Sequence, residues 1–76
     1  MGYTANICLY KLIGNLNIPL QSNPDKMANC SLGSPIIVMD DLVYVRDWND
    51  EREEQFALAN ITKLFITCNP LIFEEL

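Results

Sequence analysis

The sequence reads Ile36-Ile37-Val38-Met39-Asp40-Asp41-Leu42-Val43-Tyr44-Val45 over residues 36 to 45, two apolar runs separated by a pair of acids. β-Branched and aromatic side chains are enriched in strands, so both runs are predicted to be strands. Asp40-Asp41 is interpreted as a two-residue hairpin turn, although neither residue is the glycine that such turns favour. The alternative is one long strand with a bulge at the acids.

Residues 4 to 13 are predicted to form another strand. Side chains alternate between the two faces of a strand, and here both faces are largely apolar. Apolar character on both faces is typical of a strand that is covered on both sides. A short helix over the same residues stays open as an alternative, because periodicity alone does not decide so short a segment.

Residues 14 to 35 are predicted to be irregular because prolines, glycines and asparagines interrupt them throughout. Apolar residues recur between these turn-forming residues. Their spacing indicates a loop that lies over a core and not a flexible linker.

Residues 50 to 60 are predicted to form a helix, with Asp47, Asn49 or Asp50 as its cap. Acids are concentrated where the first turn would lie, and acids near a helix N-terminus complement the helix dipole. Residues 61 to 67 are rich in β-branched and aromatic residues and are predicted to be a strand. The alternatives are a helix that continues to Thr67, or a strand over residues 54 to 66.

The fold class predicted for residues 1 to 76 is α+β, as one small single domain. We expect an antiparallel sheet of three to four strands, over residues 4–13, 36–39, 42–46 and 61–67, with one helix. A small all-β barrel is the alternative. The predicted core residues are Ile7, Leu9, Ile37, Val43, Val45, Ala57, Ile61 and Leu64.

The composition argues against catalysis. The chain contains no histidine, which excludes the Ser-His-Asp and Cys-His nucleophile arrangements. Cys8, Cys30 and Cys68 are too far apart in sequence for the usual zinc patterns, so no metal and no cofactor are predicted. A carboxylate-based enzyme remains the weakest of the functional hypotheses.

The predicted location is cytoplasmic. An odd number of cysteines without a secretion signal indicates reduced thiols. The apolar run of residues 7 to 13 is too short to span a bilayer, so no association with a membrane is expected.

Charge is concentrated in one fifth of the chain. Residues 40 to 54 contain seven acids and two bases, an excess equal to the whole net charge of −5. A solvated helix start is the simpler interpretation of these acids. The functional interpretation is a partner-binding surface that includes an aromatic residue of a type common at interfaces. The predicted partner-binding residues are Asp47, Trp48, Asp50, Glu51, Glu53 and Glu54.

The charge also predicts the kind of partner. Binding to nucleic acid needs a basic surface, so direct binding is not expected. A small acidic binding protein that covers a basic or nucleic-acid-binding surface of another protein fits better, and by class analogy viral (phage-type) inhibitors act in this way. The alternative is a structural subunit or homodimer whose strands complete a shared sheet.

Overall fold

A computed structural model describes residues 6–48 and 51–76, which form a small domain with one antiparallel sheet and one short helix. The strand order is β4-β3-β2-β1-β5, and all neighbours are antiparallel. The sheet is open, with β4 and β5 at its edges, so the barrel alternative is wrong and the strands number five instead of three to four. The elements are β1 (Ile7–Leu12), β2 (Pro35–Met39), β3 (Leu42–Trp48), β4 (Glu54–Leu58), α1 (Lys63–Thr67) and β5 (Phe73–Glu75).

The predicted hairpin is confirmed. Met39 pairs with Leu42, which leaves Asp40 and Asp41 as the turn between β2 and β3. Asp40 has a φ of 55°, a left-handed conformation that aspartate tolerates better than most residues. Its backbone N–H donates to the Asn6 carbonyl at 2.8 Å, and its carboxylate accepts from the Asn6 N–H at 3.2 Å. The turn is therefore also tied to the start of β1.

The helix predicted over residues 50 to 60 is wrong, because Glu54–Leu58 forms the edge strand β4. This strand pairs with β3, so that Phe56 lies opposite Arg46 and Ala57 lies opposite Val45. Apolar residues lie on both faces of β4. Their alternation along a paired strand therefore prevails over the helical spacing that predicted a helix. Of the acids that indicated a helix start, Glu51 and Glu53 lie instead in the connection between β3 and β4, and Glu54 is the first residue of β4.

The strand predicted over residues 61 to 67 is also wrong, because Lys63–Thr67 forms α1. Thr62 caps this helix, since its hydroxyl accepts from the Phe65 N–H at 3.1 Å. Asn69 donates its side-chain amide to the Phe65 carbonyl at 2.6 Å near the end of the helix. Within five residues the low helix propensity of the β-branched side chains costs little, and burial of Ile66 in the core offsets it.

The core lies on one face of the sheet, here called the inner face. It is formed by alternate residues of β1, β2 and β3, and the long connection from 13 to 34 packs against it. Ile18 and Leu20 of that connection are buried, so the predicted loop over a core is confirmed. The buried strand side chains of the inner face are Tyr10, Leu12, Ile36, Val38, Val43, Val45, Asp47 and, from β5, Phe73.

The predicted core is right in part. Val43 and Val45 are buried, and Ala57 and Ile61 are partly buried against the core. Ile37 is half-buried. Three core predictions are wrong, because their side chains point away from the buried layer and are exposed: Ile7, Leu9 and Leu64.

Candidate protein-binding surface

The opposite side of the sheet carries an apolar row that crosses all five strands. Tyr44 lies opposite Leu58 on one side and Ile37 on the other, and Ile37 lies opposite Leu9. The row continues to Leu76, whose N–H donates to the Leu9 carbonyl at 2.9 Å just beyond β5. None of these five side chains is charged.

A second apolar row runs beside the first. Met39 lies opposite both Leu42 and Ile7 in the register of β2 with its two neighbours. We call the two rows together the outer face. The described residues leave four of its side chains exposed and four half-buried: Leu9 is 47% exposed and Ile7 is 57% exposed, Leu42 and Leu76 are also exposed, and Ile37, Met39, Tyr44 and Leu58 are half-buried. Soluble monomers rarely expose a continuous apolar patch of more than a few hundred Å², and larger ones mark interaction sites.

Ion pairs border the outer face on one side. Arg46 Nε contacts Glu54 Oε1 at 2.8 Å, and Lys11 Nζ lies 3.7 Å from Glu74 Oε1. Both pairs are substantially exposed, so they contribute little to stability. They supply charges of both signs at the border of an uncharged surface.

Part of the predicted partner-binding set lies at one end of this surface. Trp48 is 41% exposed and lies opposite Glu54 in the register of β3 with β4. Glu51 and Glu53 are exposed in the connection that follows. We call these four residues the acidic end. Asp50 lies outside the described residues.

Asp47 does not belong to that surface, so its place in the partner-binding set is corrected. Its side chain has no exposure to solvent. Oδ1 accepts from the Asn29 backbone N–H at 2.7 Å, and Oδ2 lies 4.0 Å from Lys26 Nζ. Oδ2 accepts no hydrogen bond from the described residues. Asp47 therefore attaches the long connection to β3, and its side chain is buried beneath that connection.

Two further hydrogen bonds attach the connection to the same strand. Asn29 Nδ2 donates to the Trp48 carbonyl at 3.1 Å, and the Cys30 thiol donates to the Arg46 carbonyl at 3.3 Å. Burial raises the pKa of the Cys30 thiol, and the nearby Asp47 carboxylate raises it further. Cys30 is thus a half-buried packing residue with a weakly acidic thiol.

The acid-rich stretch of the sequence divides in space. Asp40 and Asp41 lie at one end of β3, and the acidic end lies at the other. Seven residues of strand separate the two ends by roughly 20 Å. The excess charge is therefore distributed between two places and does not form one continuous patch.

The outer face was missed by sequence reasoning, which assigned Ile7 and Leu9 to the core. The alternation in β1 places apolar side chains on both faces, which is typical of a strand covered on both sides. The available signal was that few segments outside the predicted strands and helix, chiefly residues 14 to 35, could cover the sheet.

Other kinds of site find little support in the part of the chain that the structure describes. Its histidine, cysteine, aspartate and glutamate side chains form no group of three that could hold a metal ion. Its one helix, α1, is too short to cross a membrane. No protein-family model matches the chain, and searches of curated proteins and of solved structures found no match.

Proposed function

We propose that this protein is a non-catalytic binding subunit that works by holding its outer face against another protein. The observation that carries the proposal is the uncharged row from Leu58 to Leu76, which crosses the whole width of the sheet. Removal of apolar surface from water is the main driving force of protein association. A surface of this kind therefore favours binding over catalysis.

The size of the outer face is close to what this role needs. The outer face and its charged border together make up one side of the sheet. Its five strands are three to seven residues long and spaced by about 4.8 Å, which gives that side a projected area of about 420 Å². A partner of equal size would bring the total buried area to about 850 Å², slightly below the roughly 1,000 Å² at which specific interfaces begin.

A second candidate function is the one that the charge predicts: a phage-type inhibitor whose acidic end docks on a basic or nucleic-acid-binding surface of another protein. Exposure of Trp48 beside Glu54 favours it. Carboxylates at such a place accelerate association with a basic protein, and salt weakens the effect. The two functions use different parts of the sheet and are compatible.

Site-specific photo-crosslinking in the source cell tests the main proposal. A benzophenone amino acid is placed at Leu9, and in a separate variant at Leu71, which is exposed away from the sheet. We expect a defined protein adduct from position 9 and none from position 71. Adducts from both positions, or from neither, would contradict a specific outer-face interface.

The acidic end has its own test. Glu51→Gln combined with Glu53→Gln should slow association with a basic partner at low salt, whereas Asp41→Asn at the far end of β3 should not. Stopped-flow or surface-binding measurements give the association rates. Equal rates for all variants would leave these acids as solvated residues only.

A further inference from the structure

We infer that the occupant of the outer face is a second copy of this chain, packed sheet against sheet about a two-fold axis. This inference rests on the proposed function and names its partner. Homodimers with two-fold symmetry are the commonest oligomers, and they need one surface that complements itself.

The shape of the subunit supports a second copy. The molecule measures 40 × 30 × 20 Å, so it is a flat plate. Stacked layers lie about 10 Å apart, and a plate of this thickness corresponds to a sheet and one covering layer. An apolar face of a sheet is normally buried against another element, and here the long connection and α1 cover only the inner face. A stacked pair gives the outer face its missing layer.

The side chains of the outer face suit contact with an identical outer face better than contact with a basic protein. The two rows contain aliphatic side chains, a methionine and a tyrosine, and no carboxylate that would attract a basic partner. The bordering pairs, Lys11 with Glu74 and Arg46 with Glu54, present both signs of charge. Because each border carries both positive and negative charges, two copies can pack together without a border of only one sign of charge repelling the other.

Geometry and charge permit the pairing. Two sheets of the same twist pack with their strands at about −30°, and identical subunits meet that condition. Each copy carries a net charge of −5, which opposes association. At physiological salt the Debye length is about 8 Å, so carboxylates at the strand ends are largely screened from those of the other copy. With about 850 Å² buried between the sheets, we expect a weak dimer that dissociates on dilution.

Sedimentation equilibrium of the full chain over a wide concentration range tests the inference. Leu9→Lys and Leu42→Lys each place a charge on the outer face, and Leu71→Lys adds the same charge at an exposed position elsewhere. We expect wild type and Leu71→Lys to dimerise equally. Each outer-face variant should dissociate at least about tenfold more readily, since a buried unpaired ammonium is costly.

The fold of each variant is checked first by its amide NMR spectrum. Leu42 lies beside the hairpin turn and is exposed, so Leu42→Lys keeps the test valid if Leu9→Lys fails to fold. Isotope-filtered NOEs between labelled and unlabelled copies give a direct measurement. We expect them at the methyl groups of Leu9 and Ile37.

Three results would overturn the inference. One is a wild-type monomer at every concentration. Another is a dimer that both outer-face lysines leave intact, which would place the contact elsewhere. The third is crosslinking from position 9 to residues 1–5 of the same chain.

If the wild type is monomeric but position 9 crosslinks to a different protein, the proposed function stands and only the second copy is rejected. If position 9 gives no intermolecular adduct, both are rejected.

Discussion

The two faces of the sheet have similar apolar character and opposite exposure. Ile36 on the inner face has no exposure to solvent, and Ile7 on the outer face is 57% exposed. The buried inner face even contains a carboxylate, Asp47, whereas the two rows of the outer face contain no charge. Burial in this molecule is therefore set by which face the rest of the chain covers, and not by side-chain polarity alone.

Hydrogen bonds determine which face is covered. The connection from 13 to 34 is attached at its end by the Leu12 N–H, which donates to the Ser34 carbonyl at 2.9 Å. It is attached near its middle by Asp47, through the Asn29 N–H. Since Asp47 points to the inner face, the connection is held on that side and does not cover the outer face.

The largest expected effect comes from truncating the same residue type on the two faces. Ile36→Ala should lower the free energy of unfolding by about 2–5 kcal/mol, because it leaves a cavity in the core. Ile7→Ala should cost less than about 1 kcal/mol in dilute protein, where the outer face is not paired. Urea unfolding at low concentration measures both.

Repeating this measurement at high concentration refines the comparison. If copies pair through the outer face, the cost of Ile7→Ala should grow with protein concentration, whereas the cost of Ile36→Ala should not. Equal costs for the two variants in dilute protein would mean that the outer face is already covered within one chain.

The next largest effect concerns the buried carboxylate. Asp47→Ala should cost about 1–3 kcal/mol, because the Asn29 N–H loses its acceptor in a part-buried hydrogen bond. The exposed Asp41→Ala provides the control and should change stability by less than about 0.5 kcal/mol. Amide hydrogen exchange at Asn29 should also accelerate in the Asp47 variant only. Unchanged exchange there would show that the carboxylate does not hold the connection.

The central hairpin could be predicted from sequence because its signal is local. Two apolar runs with acids between them specify two strands and a turn, and the structure has Met39 paired with Leu42. The loop over the core was also predictable, since Ile18 and Leu20 recur among prolines and asparagines and need a place to be buried. Neither prediction depended on distant parts of the chain.

The C-terminal half could not be predicted in this way. Residues 54 to 58 are a strand because β3 offers them a free edge, and this information is not contained in their own sequence. Their local preference for a helix start was overridden by pairing. The case of α1 is different. Its cap, Thr62, could be recognised in the sequence, but the β-branched residues nearby led to the prediction of a strand.

In the candidate site, too, the positions of some residues follow from the local sequence, and the positions of others depend on distant parts of the chain. Trp48 and Glu54 were both assigned to the partner-binding set from their place in the acid-rich stretch, and the structure places them opposite each other with both exposed. Burial of Asp47 depends on the connection that folds back onto β3, so local charge gave the wrong position for it. The outer face depends on the register of five strands, which sequence spacing does not specify.

Thiol reactivity provides a smaller test of which surfaces are accessible. Cys30 is half-buried among the residues that pack on the inner face, and burial raises its pKa; Cys68 is exposed after α1. Because the thiolate is the reactive form, Cys30 should react with iodoacetamide at least about tenfold more slowly than Cys68 at neutral pH. Peptide mass spectrometry over time measures both rates. Asp47→Ala should accelerate the reaction of Cys30, because it loosens the connection. Equal reaction rates for Cys30 and Cys68 in the wild type would contradict the position of Cys30 on the inner face.

The smallest expected effect is a loss of stability at alkaline pH that comes from Tyr10 on the inner face. Burial raises the pKa of its hydroxyl above the usual 10.0, and the negative charge of Glu75, to which it is hydrogen-bonded, raises it further. Above about pH 10 the unfolded chain loses this proton while the folded chain keeps it. The contribution of Tyr10 to stability is therefore complete below about pH 10 and decreases as the pH rises towards the folded pKa.

Urea unfolding between about pH 8 and pH 11 should show a smaller decrease for Tyr10→Phe than for wild type. Glu75→Gln should keep most of the wild-type decrease, because burial is the larger cause. If Glu75→Gln abolishes the decrease as completely as Tyr10→Phe does, charge and not burial governs this side chain, and the inner face near β5 is more accessible to water than its packing indicates.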